Sequence, residues 1–154
     1  MKKKTINLYI FFILLLVGVL FSSCSSIPAE EDLLSHYQEM LESGKAGLLG
    51  KLIDEKKMPV GGEVVRLGKV VWSEDRTSAS FIIDGANSPS TVSKDDGSFV
   101  FLNIDPGEYV MVVRNIDINP IVIPEFPGSN TAAIFTTESD KILDVNIIKI
   151  NTDN

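Results

Sequence analysis

The stretch Ser93-Lys94-Asp95-Asp96-Gly97-Ser98-Phe99-Val100-Phe101-Leu102-Asn103-Ile104-Asp105-Pro106-Gly107-Glu108-Tyr109-Val110-Met111-Val112-Val113 decides the fold. Asp95-Asp96-Gly97 has turn chemistry: two short acids that cap their own backbone precede a residue that accepts a positive φ. Phe99 and Phe101 follow two residues apart, so a strand points both rings to the same side. Pro106-Gly107 is a second turn, in which Pro fixes one backbone angle and Gly accepts the positive one that follows. Tyr109, Met111 and Val113 then repeat the alternation. One tight turn thus feeds a short alternating run, and a second turn feeds another.

The same period of two extends in both directions from this stretch. Short runs rich in β-branched and aromatic residues alternate with Gly, Pro, Asp and Asn clusters at residues 48–53, 60–72, 78–84, 90–93, 98–103, 108–114 and 141–150. Strands this short and this closely spaced predict an all-β fold, an antiparallel seven-stranded sandwich. Alternation places Val65 and Leu67, Phe99 and Phe101, Tyr109, Met111 and Val113, and Val145 and Ile147 inside, with their polar neighbours toward water. Burying a large apolar side chain contributes about 1.5–3 kcal/mol, so this set holds one sandwich together without disulfides or metal.

The quoted stretch resembles the signature of the carboxypeptidase regulatory-like domain family, the prealbumin-like or CnaB-like sandwiches: D-x-D-G-x-F-x-F-x-N-[LV]-x-P-G-x-Y. Gly50-Lys51-Leu52-Ile53-Asp54, Met58-Pro59 and Glu63-Val64-Val65-Arg66-Leu67 resemble the family's opening strands. The resemblance covers residues 46–150. It implies a seven-stranded sandwich, with room for an added hairpin, and an accessory or structural module rather than a catalyst. Some CnaB-like domains join a Lys and an Asn in an isopeptide bond beside a buried acid. Lys51 and Asn146 stand on the matching first and last strands, but the acid is missing after Tyr109, so the expectation is two solvated strand residues.

The chain begins with a leader. Lys2, Lys3 and Lys4 form a basic segment, residues 8–21 are uncharged and apolar, and Phe21-Ser22-Ser23-Cys24 ends the run. The apolar segment is too short to span a bilayer comfortably, which marks a signal peptide over residues 1–23. The small pair before the cysteine resembles the lipobox of bacterial lipoproteins, which implies that Cys24 receives a thioether-linked diacylglycerol and becomes the mature N-terminus. Cys24 is the only cysteine, so disulfides within the chain are excluded. Three of the 14 basic residues and none of the 21 acids lie in the leader, leaving 11 against 21 and a formal net charge of −10. Such a surface repels nucleic acid and anionic headgroups, so membrane attachment falls to the acyl chains.

Residues 24–45 read as a lipidated N-terminus and a short amphipathic helical stalk. Pro28 suits a first helical position, Glu30, Glu31 and Asp32 favour the positive end of the helix dipole, and Leu33, Leu34, Tyr37, Met40 and Leu41 share one face. The stalk either packs on the domain or spaces it from the bilayer. The sandwich occupies residues 46–150 and a tail 151–154.

Catalytic constellations fail on inspection. His36-Tyr37-Gln38-Glu39 matches the H-x-x-E zinc pair of carboxypeptidases by spacing, but His36 is the only histidine and a catalytic zinc needs a further protein ligand. A serine–histidine pair would have to use the same residue in the stalk, the cysteine is committed to lipid, and Gly61-Gly62 lacks the Lys-Ser/Thr of a phosphate loop. Asp54, Asp84, Asp95, Asp96 and Asp105 lie near turns, where Asp more often caps its own backbone than binds calcium. No enzyme activity, metal or cofactor is expected.

Binding remains. Residues 68–87 form a hairpin in which Trp72 and Phe81 flank a polar turn, and Trp72 either packs on the sheet or offers a stacking platform for sugar. Residues 119–130 interleave Pro120, Pro124 and Pro127 with apolar side chains including Phe126, and either cover a sheet edge or face a partner. The sequence therefore predicts a non-enzymatic, lipid-anchored lipoprotein of the bacterial cell envelope, whose sandwich serves as a protein–protein interaction or structural module. The alternative is carbohydrate binding at the Trp72 hairpin. Ser25 is not the Asp that retains many lipoproteins in the inner membrane, which favours the outer membrane where there is one.

Overall fold

The computed structural model describes residues 30–152; the leader, Cys24 and the lipidation expected there lie outside them. Helix α1 spans Glu30–Glu39. It ends in tightened turns, Met40 N–H to Tyr37 O and Leu41 N–H to Gln38 O, and Gly44 at φ +78° turns the chain into the first strand. No helix among the described residues is long and apolar enough to cross a membrane. The Gln38 amide donates to Asp140 O at 2.9 Å, and Asp140 Oδ1 accepts from Gly44 N–H at 2.7 Å.

The remainder is an all-β, largely antiparallel sandwich, as the alternation predicts. Nine strands are present among the described residues: β1 Ala46–Ile53, β2 Val64–Trp72, β3 Ala79–Ile82, β4 Ser90–Val92, β5 Ser98–Ile104, β6 Gly107–Val113, β7 Ile121–Val122, β8 Ile134–Thr137 and β9 Ile142–Lys149. Each of the seven expected runs contains a strand. The two additional ones, β7 and β8, are short pieces of the segment between β6 and β9 that fold back onto the edge of β6.

The smaller sheet has the order β5-β1-β9; β1 runs antiparallel to β5 and parallel to β9. In the larger sheet β2 and β6 are central. β3 and β4 share the outer side of β2, and β7 and β8 share the outer side of β6. The core lies between the sheets, with Leu48, Leu52, Phe99, Phe101 and Ile148 from one and Val65, Leu67, Tyr109, Met111 and Val113 from the other. Phe99 and Phe101 meet edge to face at 6.2 Å between centroids.

The expected inside set holds on β2, β5 and β6, and departs from it on β9. Val145 packs against the core, but Ile147 is 63% exposed, and Ile148 and Ile150 are buried in its place. The reason is a bulge. The β1–β9 register slips between Leu49 and Lys51, Asn146 takes φ +57°, and its N–H is held by Asp144 Oδ1 at 2.7 Å. One extra residue inverts the facing of everything after it. Gly50 lies against this bulge, where a Cβ would stand 2.6 Å from Val145 Cγ2 and 3.1 Å from Asn146 O.

A second departure bears on function. The neighbours of Tyr109, Met111 and Val113 on β6 are not exposed: Val110 and Val112, on the outside of the sandwich, are 3% and 2% exposed.

Candidate functional site

The register explains why the outside of the larger sheet is apolar. Val112 lies between Arg66 on β2 and Val122 on β7, and Val110 between Gly68 and Ile134 on β8. Val70 pairs with Phe81 on β3. Gly68 opens the space above β2, where a Cβ would come within 2.8 Å of Phe81 Cδ2 and 2.9 Å of Ile83 Cγ1. The Phe81 and Ile83 side chains thus lean across β2 toward β6, and Val122 and Ile134 close in from the opposite side. Val110 and Val112 are sealed beneath them, while Phe81 is 37%, Ile134 39%, Val122 38% and Val92 55% exposed.

A charged side chain, Arg66, sits within this surface. Arg66 is paired in register with Val112 on one side and Ser90 on the other, and its Nε is buried without a hydrogen-bond partner among the described residues. An unsatisfied polar atom of this kind costs about 1–3 kcal/mol relative to one that is paired, so a partner that brings an acceptor there gains from doing so.

Trp72 and Phe81 share the β2–β3 hairpin, as expected, and Phe126 does not join them. Trp72 is half-buried. Its Nε1–H donates to Glu108 Oε2 at 2.6 Å, and the Arg76 guanidinium lies 5.6 Å from the ring centroid. The indole is thus tied to β6 at its edge and faced by a cation. The Asp75 carboxylate organises the hairpin turn, and its pKa is held down to about 2 by the Ser73 hydroxyl and then by the Thr77 N–H and hydroxyl. Phe126 is 59% exposed at the tip of the β7–β8 connection, beyond the opposite edge of the sheet. The rest of that connection covers the edge: Ile123 is buried, its N–H donates to Met111 O at 3.0 Å, and Ala133 N–H donates to Ile123 O at 2.9 Å.

The turn acids act locally. Asp54 Oδ1 accepts from Met58 N–H, Asp84 from Ala86 N–H and the Asn87 amide, and Asp96 from Ser98 N–H and hydroxyl. Asp105 pairs with Lys45 at 2.8 Å, which lowers its pKa, and its carbonyl accepts the Tyr109 hydroxyl at 2.7 Å. Among the described residues no three His, Cys, Asp or Glu side chains gather as metal ligands would. His36 is exposed on α1 and Asn146 is exposed on the β9 bulge; the Asp96 pKa is lowered chiefly by the Ser98 hydroxyl and N–H, and to a lesser degree by Lys51 on β1.

Sequence reasoning named Trp72 and Phe81 but missed Arg66, Val110 and Val112. The available signal was the run Tyr109-Val110-Met111-Val112-Val113, apolar at every position, which a strand solvated on one face does not need.

No protein-family model matches the chain, and no curated protein matches it in sequence. Among solved structures it is similar to BcpA, the major pilin subunit of Bacillus cereus, at 13% identity and a TM-score of 0.38 over 71% of this chain and 30% of that one. It is also similar to the group B streptococcus pilus 2b backbone protein, at 16% identity and a TM-score of 0.39 over 71% of this chain and 42% of that one. A DUF3823 family protein from Bacteroides uniformis matches at 16% identity and a TM-score of 0.41 over 70% of this chain and 42% of that one. The chain thus spans less than half the length of each of these three structures.

Proposed function

We propose that the protein is a lipoprotein of the bacterial envelope, anchored through Cys24 outside the cytoplasmic membrane, whose sandwich is a non-catalytic module that docks a protein partner on the outer face of the larger sheet. The observation that carries this reading is the apolar surface of Phe81, Val92, Val122 and Ile134 around the unsatisfied Nε of Arg66. Contiguous exposed apolar side chains with an arginine among them have the composition of an interface centre. Glycan binding on Trp72 is the weaker reading, because a sugar ring stacking there competes with Arg76.

The test is site-specific photocrosslinking in intact cells, with a photoreactive phenylalanine analogue at position 81 or, on the opposite sheet, at position 146. A discrete adduct from position 81, lost with Ile134→Glu and absent from position 146, is the expected result. Equal adducts from both positions, or none from 81, would overturn the docking face.

A further inference from the structure

A different part of the molecule carries a second recognition surface, independent of the apolar face. β4 and β5 leave the 94–97 turn together, joined by Lys94 N–H to Ser98 O at 2.8 Å, and then part. β4 goes to the larger sheet and pairs with β2; β5 goes to the smaller one and pairs with β1. The gap between them is a groove of about 410 Å³, with Pro89, Ser90 and Thr91 on one wall and Val100, Leu102 and Asn103 on the other.

Both walls are strands paired on one side only among the described residues. Gly97 O accepts from Leu52 N–H on β1 and Ser98 O accepts from Lys94 on the opposite side. Alternation along β5 then directs the N–H and C=O groups of Phe99 and Phe101 to β1, and those of Val100 and Leu102 into the groove. On β4, Pro89 O accepts from Leu67 N–H, and Ser93 N–H and O bond Glu63 and Gly62. The main-chain groups of Ser90 and Val92 therefore point away from β2, toward the same groove. Among the described residues β5 pairs with β1 alone, and no turn or loop hydrogen bond reaches Val100 or Leu102 on this side.

The other edge of the smaller sheet is protected. β9 carries Asp144 and Lys149 and is broken by the Asn146 bulge, devices that prevent a further strand from adding. β5 from Ser98 to Ile104 has no charge and no proline, and its own bulge, with Asn103 at φ +58°, lies beyond Leu102 and leaves the Val100–Leu102 stretch regular.

We infer that the β4–β5 groove accepts an extended segment of a partner protein by strand addition, with the segment's main chain bonding Val100 and Leu102. The lining sets the chemistry of the segment. Phe101 and Ile104 line the groove on its core side, and Ser90, Asn103 and the Lys45–Asp105 pair stand at its rim. The segment that fits is uncharged in its centre, with apolar side chains at every second position and small polar ones between.

The probe is a synthetic peptide of alternating Thr and Val with a Lys at each end, added to the full chain in detergent micelles. A second version is N-methylated at every Val. Amide hydrogen exchange read residue by residue should slow at least tenfold at Val100 and Leu102 with the first peptide and not with the second. Leu102→Pro removes an N–H that faces the groove and none that faces β1, so exchange protection at Phe99 and Phe101 should persist while the peptide's slowing of Val100 disappears. Equal slowing by both peptides, no slowing at Val100 and Leu102, or slowing at Phe81 and Val110 instead would each overturn strand addition. The N-methyl comparison decides the matter even if the proline variant fails to fold.

Discussion

Gly97 ends the turn that launches β5, and replacing it with alanine tests how tightly the smaller sheet is built. At φ +82° a residue with a Cβ costs about 1–2 kcal/mol relative to glycine. The new Cβ would stand 2.3 Å from Leu52 O, 3.3 Å from Val60 N and 3.4 Å from Leu52 C. These are backbone atoms, so no rotamer change relieves the contact. The turn must move, and with it the Leu52 N–H to Gly97 O hydrogen bond of 2.9 Å, whose loss adds about 0.5–1.5 kcal/mol. The expected destabilisation is about 2–3 kcal/mol, a fall in melting temperature of roughly 6–15 °C for a domain of this size. Gly62→Ala is the matched control: its φ is +80° and nothing lies within 4 Å of the added carbon. Both variants lose the same unfolded-state freedom, so the difference between them isolates the steric contact. Thermal unfolding followed by far-ultraviolet circular dichroism on the chain from Ser25 onward reads both. If Gly97→Ala melts no lower than Gly62→Ala, the close approach of the turn to β1 is wrong.

Phe101→Ala removes one partner of the edge-to-face pair in the core and should lower stability by about 3–5 kcal/mol in urea titration, against no change for Lys94→Ala. Tyr109→Phe deletes the hydrogen bond to Asp105 O and should cost about 1 kcal/mol by the same measurement. Asp75 is depressed in the fold, so its support of the hairpin is fully present above about pH 4 and is lost as pH falls through about 2; the Thr77 amide shift should titrate with that low midpoint, and a midpoint near 4 would refute the turn geometry. Cys24→Ser should abolish incorporation of a clickable fatty acid, and unchanged labelling would remove the lipoprotein from consideration.

Phe99 and Phe101, Tyr109, Met111 and Val113, and the turn at Gly97 were legible in the sequence because a period of two and a required positive φ are local signals. Ile147 was misplaced because a bulge is one residue long and leaves no mark in composition; only the clash above Gly50 and the positive φ of Asn146 reveal it. β7 and β8 were hidden for a related reason. Pro120 and Pro124 bracket Ile121–Val122, so the strand is too short to show a period, and its pairing with Val112 and Val113 is a tertiary fact. The apolar face was half visible. Phe81 and Trp72 could be named from their hairpin, but that Arg66, Val110, Val122 and Ile134 lie side by side follows from strand order across the sheet, which alternation within one strand cannot supply.

The parallel pairing of β1 with β9 has a consequence for the order in which the molecule can be completed. Gly47 meets Ile142 and Ile53 meets Lys149, so the first strand of the sandwich waits for the last. The larger sheet and the β1–β5 pair can assemble while the end of the chain is still being delivered, but until β9 arrives β1 has one bare edge and the core lacks Ile148 and Ile150. Such long-range closure is slow, and the waiting species exposes both apolar surface and an open strand. A chain emerging N-terminus first, as every chain leaves the ribosome, therefore spends its delivery time in its most protease-sensitive state. Release of residues 142–150 is the step that ends it.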